Sequence, residues 1–352
     1  MKKQITVAGL AALMALSLAG CGTNNGGGTT PPPTTDTSTS TDTATSSTGY
    51  NLQVKDVNGD GIITVGFAQV GAESGWRTAN TQSYKDYFVE ANGFKLVFAD
   101  ANQDPDKQKQ DVRDLIAQGV EVIDLAPVTD SGWEPVLQEA KDAGIPVVIS
   151  DRQLSVSDDL YLTYFGGDMY AEGQRVTDFL KTYMASNNIT TANIVHLQGT
   201  IGSTAQIGRS KALTEAAAAN NWNIVYEQTG EFTQAKGQEV MESFLQQNKD
   251  FNIIYSENDD MTYGAIAALQ AAGKDPKSYV IVSFDGNKSA VQMVVDGTIK
   301  AIGQCNPLLG PQVGDLIKKS MNGEAIPKIT YSQEVLIDST NAAEQLKTAF
   351  GS

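Results

Sequence analysis

The chain has 352 residues, of which 41% are hydrophobic and 19% are charged, a composition typical of a globular protein. Its formal net charge of −16 disfavours nucleic acids and anionic membrane surfaces as partners, because both bind basic faces. Two cysteines, Cys21 and Cys305, are too few for a disulfide framework, and we expect Cys305 to be a buried small apolar residue.

The first 20 residues have the pattern of an export signal. Lys2 and Lys3 precede an apolar run, residues 5–18, that is too short to span a membrane. The run ends in Leu-Ala-Gly followed by Cys21, which resembles the bacterial lipobox, where the cysteine is diacylated. The alternative is a plain signal peptide with a cysteine there by chance. We predict a lipoprotein signal peptide over residues 1–20 and a lipid anchor at Cys21, with the protein held outside the cytoplasm on the cell membrane.

Residues 21–55 are nearly all Gly, Thr, Ser, Pro and Asp after the predicted lipidated cysteine. Such a segment has too little apolar surface to offset the entropy of ordering it. We predict a disordered tether that holds the globular body clear of the membrane.

The segment that follows matches the first half of a calcium-binding loop, with oxygen-bearing side chains at Asp56, Asn58 and Asp60. Position twelve of such a loop supplies a bidentate acid, and here it is Phe67. We therefore predict a turn that leads into the first strand, with a weak calcium site as the alternative.

From residue 62 onward, short β-rich runs alternate with amphipathic stretches. Ten strands are predicted, at residues 62–68, 95–100, 122–126, 146–150, 161–165, 193–197, 223–227, 252–256, 279–284 and 301–304. This alternation predicts an α/β fold of parallel sheets covered by helices, and ten strands indicate two doubly wound lobes instead of one sheet.

Ligands of open α/β sheets bind beyond the carboxyl ends of the strands, and here the residues that follow the strands are polar and aromatic. The candidate ligand-binding residues are Gln69, Glu73, Trp76, Arg77, Trp133, Asp151, Arg152, Arg209, Phe232, Asn258, Asp285, Gln304 and Asn306. Carboxylate, amide and guanidinium groups bind vicinal hydroxyls, and aromatic rings cover the apolar face of a sugar ring. The set as a whole suits a monosaccharide, although single members at helix starts can act as caps.

Enzyme chemistry has little support in the sequence. The single histidine, His196, lies inside a predicted strand, where we expect a structural role, and no catalytic triad or transition-metal cluster can be assembled. The glycine-bearing loop at residues 199–210 fits neither the Walker A nor the dinucleotide fingerprint. The adjacent acids Asp259 and Asp260 leave a secreted glycoside hydrolase open. We predict a protein that is not an enzyme and has no cofactor or metal.

Several stretches together resemble a known family. They include Glu73-Ser74-Gly75-Trp76-Arg77, Asp151-Arg152, Gly230-Glu231-Phe232-Thr233, Asn258-Asp259-Asp260-Met261 and Asp285-Gly286. With them, the chain from about residue 62 onward resembles the type I periplasmic sugar-binding proteins of ABC importers, the ribose- and galactose-binding group. Within that group the likeness is greatest to galactofuranose-binding proteins.

The resemblance implies two lobes joined by three crossings, near Phe165, Gln304 and Glu334, with the ligand in the cleft between the lobes. It places residues 56–165 plus 306–334 in the N-terminal lobe and residues 166–305 plus 335–352 in the C-terminal lobe. Because ligand contacts from both lobes are satisfied together only in the closed state, binding is expected to close the hinge.

The resemblance also implies roles for individual residues. Asp151 and Arg152 would bind ring hydroxyls from one lobe, and Arg209, Asn258 and Asp285 from the other. Phe232 would lie against the sugar. Trp76 and Arg77 stand where ribose-binding members have paired aromatics, which argues against ribose. The family amide near the second crossing matches either Gln304 or Asn306.

The expected function is that of an extracytoplasmic substrate-binding lipoprotein of an ABC sugar importer, a monomer whose ligand is galactofuranose or a related aldose. Its expected partners are the sugar, the membrane permease and, through the lipid, the membrane. The alternative is a sugar sensor that presents its ligand to a membrane receptor or kinase. A DNA-reading regulator of related fold is disfavoured, because the chain begins with an export signal instead of a helix-turn-helix.

Overall fold

The computed structural model of the chain describes residues 49–351. The predicted signal peptide, the predicted lipid anchor at Cys21 and most of the predicted tether lie outside these residues. Within the described part of the chain, no helix has both the length and the apolar character that a membrane crossing requires.

The elements of the first half alternate as the sequence predicts. They are β1 (Ile63–Gln69), α1 (Gly75–Tyr87), β2 (Phe94–Asp100), α2 (Pro105–Ala117), β3 (Val122–Leu125), α3 (Glu134–Asp142), β4 (Val147–Ser150) and β5 (Thr163–Gly166). The chain then continues with α4 (Met169–Ser186), β6 (Asn193–Gln198), α5 (Thr204–Asn220), β7 (Asn223–Thr229), α6 (Gln234–Leu245), β8 (Ile253–Ser256), α7 (Asp259–Ala271), β9 (Val280–Asp285), α8 (Lys288–Val295) and β10 (Ala301–Gln304).

The last segment contributes to both sheets. Its elements are α9 (Gly310–Met321), β11 (Ile329–Tyr331), β12 (Leu336–Asp338) and α10 (Ala342–Gln345). Short 3-10 turns at Glu90–Asn92, Asp158–Leu160 and Pro276–Ser278 complete the described structure.

The strands form two six-stranded sheets of matching order, β11-β5-β4-β3-β1-β2 in the first lobe and β12-β10-β9-β8-β6-β7 in the second. Every pairing is parallel except that of β10 with β12. The chain passes between the sheets three times, after β5, after β10 and between β11 and β12. The predicted fold class, two doubly wound parallel-sheet lobes joined by three crossings, is confirmed.

All ten predicted strands are present within two residues at each end. The central strands β3 and β4 are buried throughout, which is why they are mostly apolar, with Asp124 in β3 and Ser150 in β4 as the polar exceptions. Strands β11 and β12 are not among the predicted strands, because each has only three residues and stands at a sheet edge, where one side is open.

The segment with the calcium-loop pattern forms a turn. Both carboxylate oxygens of Asp56 accept backbone N–H groups, from Gly59 at 2.7 Å and Gly61 at 2.8 Å. The side chains of Asn58 and Asp60 accept backbone N–H groups of the same segment. The oxygens thus stabilise the turn that leads into β1.

The body of the first lobe begins earlier than the predicted end of the tether at residue 55. Val54 is buried and donates its N–H to Ser320 Oγ at 3.0 Å, and the Tyr50 hydroxyl accepts from the N–H of Val147 at 3.3 Å. The buried Val54 and the partly buried Tyr50 thus hold residues 50–54 against the lobe.

Candidate functional site

A small cavity, with about 20 Å³ of free space, lies between the lobes at the carboxyl ends of both sheets. Its walls are formed by Glu73, Ser74, Trp76, Arg77, Asp151, Arg152, Met169, Ala205, Arg209, Phe232, Asn258, Asp285 and Cys305. This free space is far below the roughly 300 to 1,000 Å³ of small-molecule sites, so the closed lobes or their side chains must move to admit a ligand.

The structure brings nine of the thirteen sequence-predicted residues to this cavity. They are Glu73, Trp76, Arg77, Asp151, Arg152, Arg209, Phe232, Asn258 and Asp285. They come from different places along the chain because each follows or opens an element at the same edge of a sheet.

Two predicted residues lie inside the first lobe instead. Gln69 is buried at the end of β1 and donates to Asn80 Oδ1 at 2.9 Å, so its amide supports helix α1. Trp133 is fully buried in the core against α3, and its indole N–H donates to the Thr129 carbonyl oxygen at 2.9 Å. An aromatic residue after a strand can turn inward as readily as toward a cleft, and the sequence pattern does not distinguish the two directions.

The two amides of the second crossing also lie outside the cavity. Gln304 Oε1 accepts the N–H of Val335 at 3.2 Å, which ties the second crossing to the third. Asn306 Oδ1 accepts the N–H of Leu308 at 3.0 Å and thereby supports the turn into α9. Both side chains are engaged with the hinge backbone.

The first lobe contributes a network of four buried charged side chains. Arg77 Nη2 lies 2.6 Å from Asp151 Oδ2 and 3.2 Å from Glu73 Oε1. Arg152 Nη2 lies 2.5 Å from the same Glu73 oxygen. Each charge has an opposite charge in contact, which is what allows four ionisable groups to be buried together.

Two atoms of this network are available to form hydrogen bonds with a ligand. Glu73 Oε2 and Arg77 Nη1 are buried and make no hydrogen bond to the protein. Buried polar atoms without a partner are rare and costly, and here one donor and one acceptor belong to residues that line the cavity. A small molecule with hydroxyl groups can satisfy both.

Burial and neighbouring charge act in opposite directions on the two guanidinium groups of this lobe. Burial lowers the pKa of Arg152, and its carboxylate partners do not restore the ordinary value. Burial also acts to lower the pKa of Arg77, but Asp151 and Glu73 outweigh it and raise that pKa.

In the second lobe, Arg209 forms hydrogen bonds with two residues and lies close to a third. Its Nε and Nη2 atoms donate to Glu172 Oε2 at 2.9 and 2.7 Å, and Nη1 donates to the Glu257 carbonyl oxygen at 2.6 Å. Asp285 Oδ1 lies 3.8 Å from Arg209 Nη2 at the cavity wall. Burial raises the pKa of Asp285 well above its ordinary value although Arg209 acts against it.

Two aromatic side chains form the apolar part of the wall. Trp76 is fixed by its indole N–H, which donates to the Cys305 carbonyl oxygen at 2.8 Å. The Phe232 ring lies 5.3 Å from the guanidinium carbon of Arg152 in the other lobe. A Cβ atom at Gly199 would overlap the Phe232 ring, so glycine at this position makes room for the ring.

Three of the cavity residues have left-handed backbone conformations that non-glycine residues rarely adopt. The φ angles are 61° at Asp151, 60° at Phe232 and 101° at Asp285. Such strain is retained where the surrounding structure needs a side chain in one direction, and it concentrates at functional sites. All three turns direct a predicted ligand-binding side chain toward the cavity.

Hydrogen bonds join the lobes around the cavity, so the structure is in a closed arrangement. Asp260 Oδ2 accepts the N–H of Gly75, the first residue of α1, at 3.0 Å. Thr204 Oγ1 accepts the N–H of Gln153 at 3.0 Å. On the same side, the backbone N–H of Asp130 donates to the carbonyl oxygen of residue 202 at 3.0 Å.

The single histidine and the acid pair, which were considered as catalytic groups, do not line the cavity. His196 is buried in β6 between Glu227 and Glu257, at 2.8 and 2.9 Å. Burial acts to lower the His196 pKa, but the two carboxylates prevail and raise it to about 9. Asp259 accepts the Ser283 hydroxyl and two backbone N–H groups of the turn after β9. Neither this acid nor its neighbour in the pair lines the cavity.

Several residues of the site are not among the candidates predicted from the sequence. The cavity is also lined by Ser74, Met169, Ala205 and Cys305. Glu172 lies outside the cavity wall and accepts a hydrogen bond from Arg209. Cys305 is buried, with 3% of its surface exposed. Small or apolar wall residues carry no local signal. Glu172 lies inside α4, where an acid in the first turn usually has a helix-dipole role.

Proteins of known function and structure share this architecture and sequence. The galactofuranose-binding protein YtfQ of Escherichia coli strain K12 is 40% identical over 81% of this chain and 91% of its own length. A Mycobacterium smegmatis protein solved in complex with β-D-fucofuranose is 43% identical, with a TM-score of 0.77, over 81% of this chain and 94% of that one.

A third relative is the periplasmic binding protein component of the arabinose ABC transporter from Shewanella sp. ANA-3, bound to α- and β-L-arabinofuranose. It is 40% identical, with a TM-score of 0.75, over 81% of this chain and 95% of that one. Residues 65–325 match the family described as the periplasmic binding protein domain. The resemblance seen in the sequence is confirmed, and the chain belongs to the periplasmic binding protein family.

Proposed function

We propose that this protein is the extracytoplasmic substrate-binding lipoprotein of an ABC sugar importer and that it binds an aldose in furanose form, galactofuranose or a close relative. The observation that carries the proposal is the closed cavity between the lobes, lined by three guanidinium groups, three carboxyl groups and two aromatic rings. We assign ligand binding to the nine predicted residues that line it.

The chemistry of the wall favours a neutral polyhydroxyl ligand. Arginine donates in a fixed fork, carboxylates accept, and each sugar hydroxyl does both, so one ring can engage several of these groups at once. The free atoms Arg77 Nη1 and Glu73 Oε2 supply one donor and one acceptor from the first lobe. Trp76 and Phe232 supply apolar surface for the C–H groups of the ring.

The furanose assignment comes from the relatives. Three proteins that share about two-fifths of their residues with this chain are described as binding galactofuranose, β-D-fucofuranose and L-arabinofuranose. These sugars have a five-membered ring in common and differ in their exocyclic groups.

Ligand capture follows from the two-lobed geometry. A sugar that bridges Arg77 and Asp151 in the first lobe and Arg209 and Asp285 in the second has all its partners only when the lobes are closed. The ligand therefore shifts the equilibrium toward the closed state by its difference in affinity for the two states. The permease would then recognise the closed shape.

The remaining parts of the proposal concern the surroundings of the site. We propose that Cys21 carries the lipid anchor, that the lobe boundaries are those expected from the sequence, and that the protein is a monomer and not an enzyme. One of the relatives is named as an ABC transporter component, which supports import over sensing.

The test is a thermal-shift and calorimetric screen of the mature chain against D-galactose, D-fucose and L-arabinose, with D-ribose and D-glucose as comparison sugars. A ligand at 100 times its Kd stabilises the native state by about 2.7 kcal/mol, which is a readily measured shift. Stabilisation by one of the first three sugars supports binding, and no response to any aldose overturns it.

The ring form is tested separately. The bound sugar, labelled with ¹³C at its anomeric carbon, reports its ring size by NMR because furanose and pyranose forms have distinct anomeric signals. A bound furanose supports the assignment, and a bound pyranose overturns the ring form while leaving the binding role intact.

A further inference from the structure

The three crossings between the lobes converge on one buried cluster next to the cavity. Gly167 stands in the first crossing, Cys305 in the second and Glu334 in the third, and Glu172 follows in the first turn of α4. One side-chain oxygen of Glu172, one of Glu334 and the Cys305 sulfur lie within 4.8 Å of one another. A cluster that contains a residue of every crossing is well placed to respond to the hinge angle.

The two carboxyl groups of this cluster face each other. A Cβ atom at Gly167 would overlap Glu172 Oε1 and would lie 3.1 Å from Glu334 Oε2, so glycine leaves the space that the pair occupies. Glu334 Oε1 accepts the Ser332 hydroxyl at 2.7 Å and the Asn306 N–H at 3.1 Å. Two donors therefore satisfy Glu334 Oε1, which leaves Oε2 as the oxygen that can carry a proton.

The two side-chain oxygens of Glu172 have different surroundings. Its Oε2 accepts both hydrogen bonds from Arg209, whereas Oε1 is buried and has no hydrogen-bond donor. Two carboxylate oxygens repel each other unless a proton lies between them. A proton carried by Glu334 would donate to Glu172 Oε1 and satisfy both atoms.

We infer that Glu334 and Glu172 share a proton in the closed conformation and that this proton keeps Glu172 in position to hold Arg209, so that ligand binding takes up a proton. The inference rests on the proposed function and adds a regulatory property to the same site. Glu172 and Glu334 are then positioning residues, which act on the ligand only through Arg209.

The surrounding charges agree with a single shared proton. Arg175 Nη2 is buried and lies 3.6 Å from Glu334 Oε2, but it makes no hydrogen bond to that oxygen. Burial first, and then the charge of Glu172, raises the pKa of Glu334 to about 8. Other titratable or charged groups near the pair are Arg209, Asp285, the Cys305 thiol, and the Tyr164 and Tyr255 phenols. Burial raises the pKa of Asp285, of the thiol and of both phenols.

The sign of the effect follows from linkage. A glutamate in water has a pKa of about 4.3, and we expect Glu334 to approach this value when the lobes open and water reaches the hinge. The closed state then binds a proton that the open state lacks between about pH 5 and pH 8. The affinity for the sugar should be highest at the acid end of this window, fall by up to about tenfold per pH unit, and level off above pH 8.

The experiment is calorimetric titration of the mature chain with L-arabinose, or with whichever aldose gives the largest thermal shift. Titrations at pH 6.5 in two buffers of different ionisation enthalpy give the number of protons taken up. We expect uptake of more than half a proton per sugar and an affinity at least about tenfold weaker at pH 8.5 than at pH 6.

Two variants assign the proton. Glu334→Gln keeps an acceptor for Asn306 and a donor for Glu172, so proton uptake should vanish and the affinity should become independent of pH. Glu324→Gln, at an exposed position beyond α9, is the matched control and should behave like wild type. Uptake that persists in Glu334→Gln would place the proton on another carboxyl group, such as Asp285, and overturn the inference.

The wild-type protein gives an independent reading should Glu334→Gln fail to fold. With ¹³C-labelled glutamate, the sugar complex should show one carboxyl group that titrates near pH 8, and titration of all glutamates in the ordinary range would contradict the inference. Sugar binding without proton uptake overturns the shared proton alone. Absence of binding to any sugar overturns both the proposed function and this inference.

Discussion

Arg152→Ala is the substitution for which the structure allows the most definite prediction. Arg152 is 3% exposed in the closed state, its Nη2 atom is 2.5 Å from Glu73 Oε1, and its guanidinium group faces the Phe232 ring of the other lobe. Its removal deletes one of two cations around Glu73 and a contact that joins the lobes.

The magnitude follows from the cost of a broken buried pair. Removing one partner of a buried, hydrogen-bonded charge pair costs about 2 to 5 kcal/mol, most of it from the charge left behind. In the open state water reaches Glu73, so this cost arises largely on closure and appears as lost affinity. Because Arg77 still contacts Glu73 at 3.2 Å, we expect the lower part of the range, about 2 to 4 kcal/mol, or a roughly 30-fold to 1,000-fold weaker Kd.

The assay is titration calorimetry with the aldose identified by the screen, on wild type, Arg152→Ala and a matched control. The control is Arg113→Ala, because Arg113 forms an ion pair with Glu139 at 2.8 Å on the exposed surface of the same lobe. Its loss should leave the affinity unchanged within about twofold. A Kd for Arg152→Ala within about threefold of wild type would refute the role assigned to the buried network.

Three further predictions test other parts of the account. Asp260→Ala removes the carboxylate that accepts the N–H of Gly75 across the cleft, so affinity should fall about 5-fold to 30-fold, and unchanged calorimetric affinity would contradict a closure contact. Gly199→Ala forces the Phe232 ring away from its place, at a cost of about 1 to 3 kcal/mol. We therefore expect sugar binding to be roughly 5-fold to 150-fold weaker. A Kd equal to that of wild type would show that the ring position is unimportant. Cys21→Ser should move the protein from the detergent phase to the medium, and continued detergent partitioning would argue against lipidation.

Much of the fold could be read from the sequence. Each central strand of a parallel sheet is covered on both faces, so strands such as β4 and β8 are short, mostly apolar runs that can be recognised without tertiary context. The edge strands β11 and β12 carry no such signal, because three residues with one open side have no periodicity.

Site residues that directly follow a strand could be predicted from the sequence. Asp151, Asn258 and Asp285 each come at the end of a strand, and the parallel sheets bring their carboxyl ends to one cleft. The same rule also selected Gln69 and Trp133, which fold into the first lobe. A strand end determines where a residue lies along the sheet but not which way its side chain turns.

The sequence by itself therefore determined the two parallel-sheet lobes, the edge at which ligand chemistry collects, and the residue types available there. The tertiary structure decided which of those side chains meet, because the pairing of Arg77 with Asp151 and of Arg209 with Glu172 joins residues that are 74 and 37 positions apart. It also decided that Glu172 and Glu334 face each other at the hinge, because contacts between distant segments depend on how the lobes pack and leave no periodic trace along the chain.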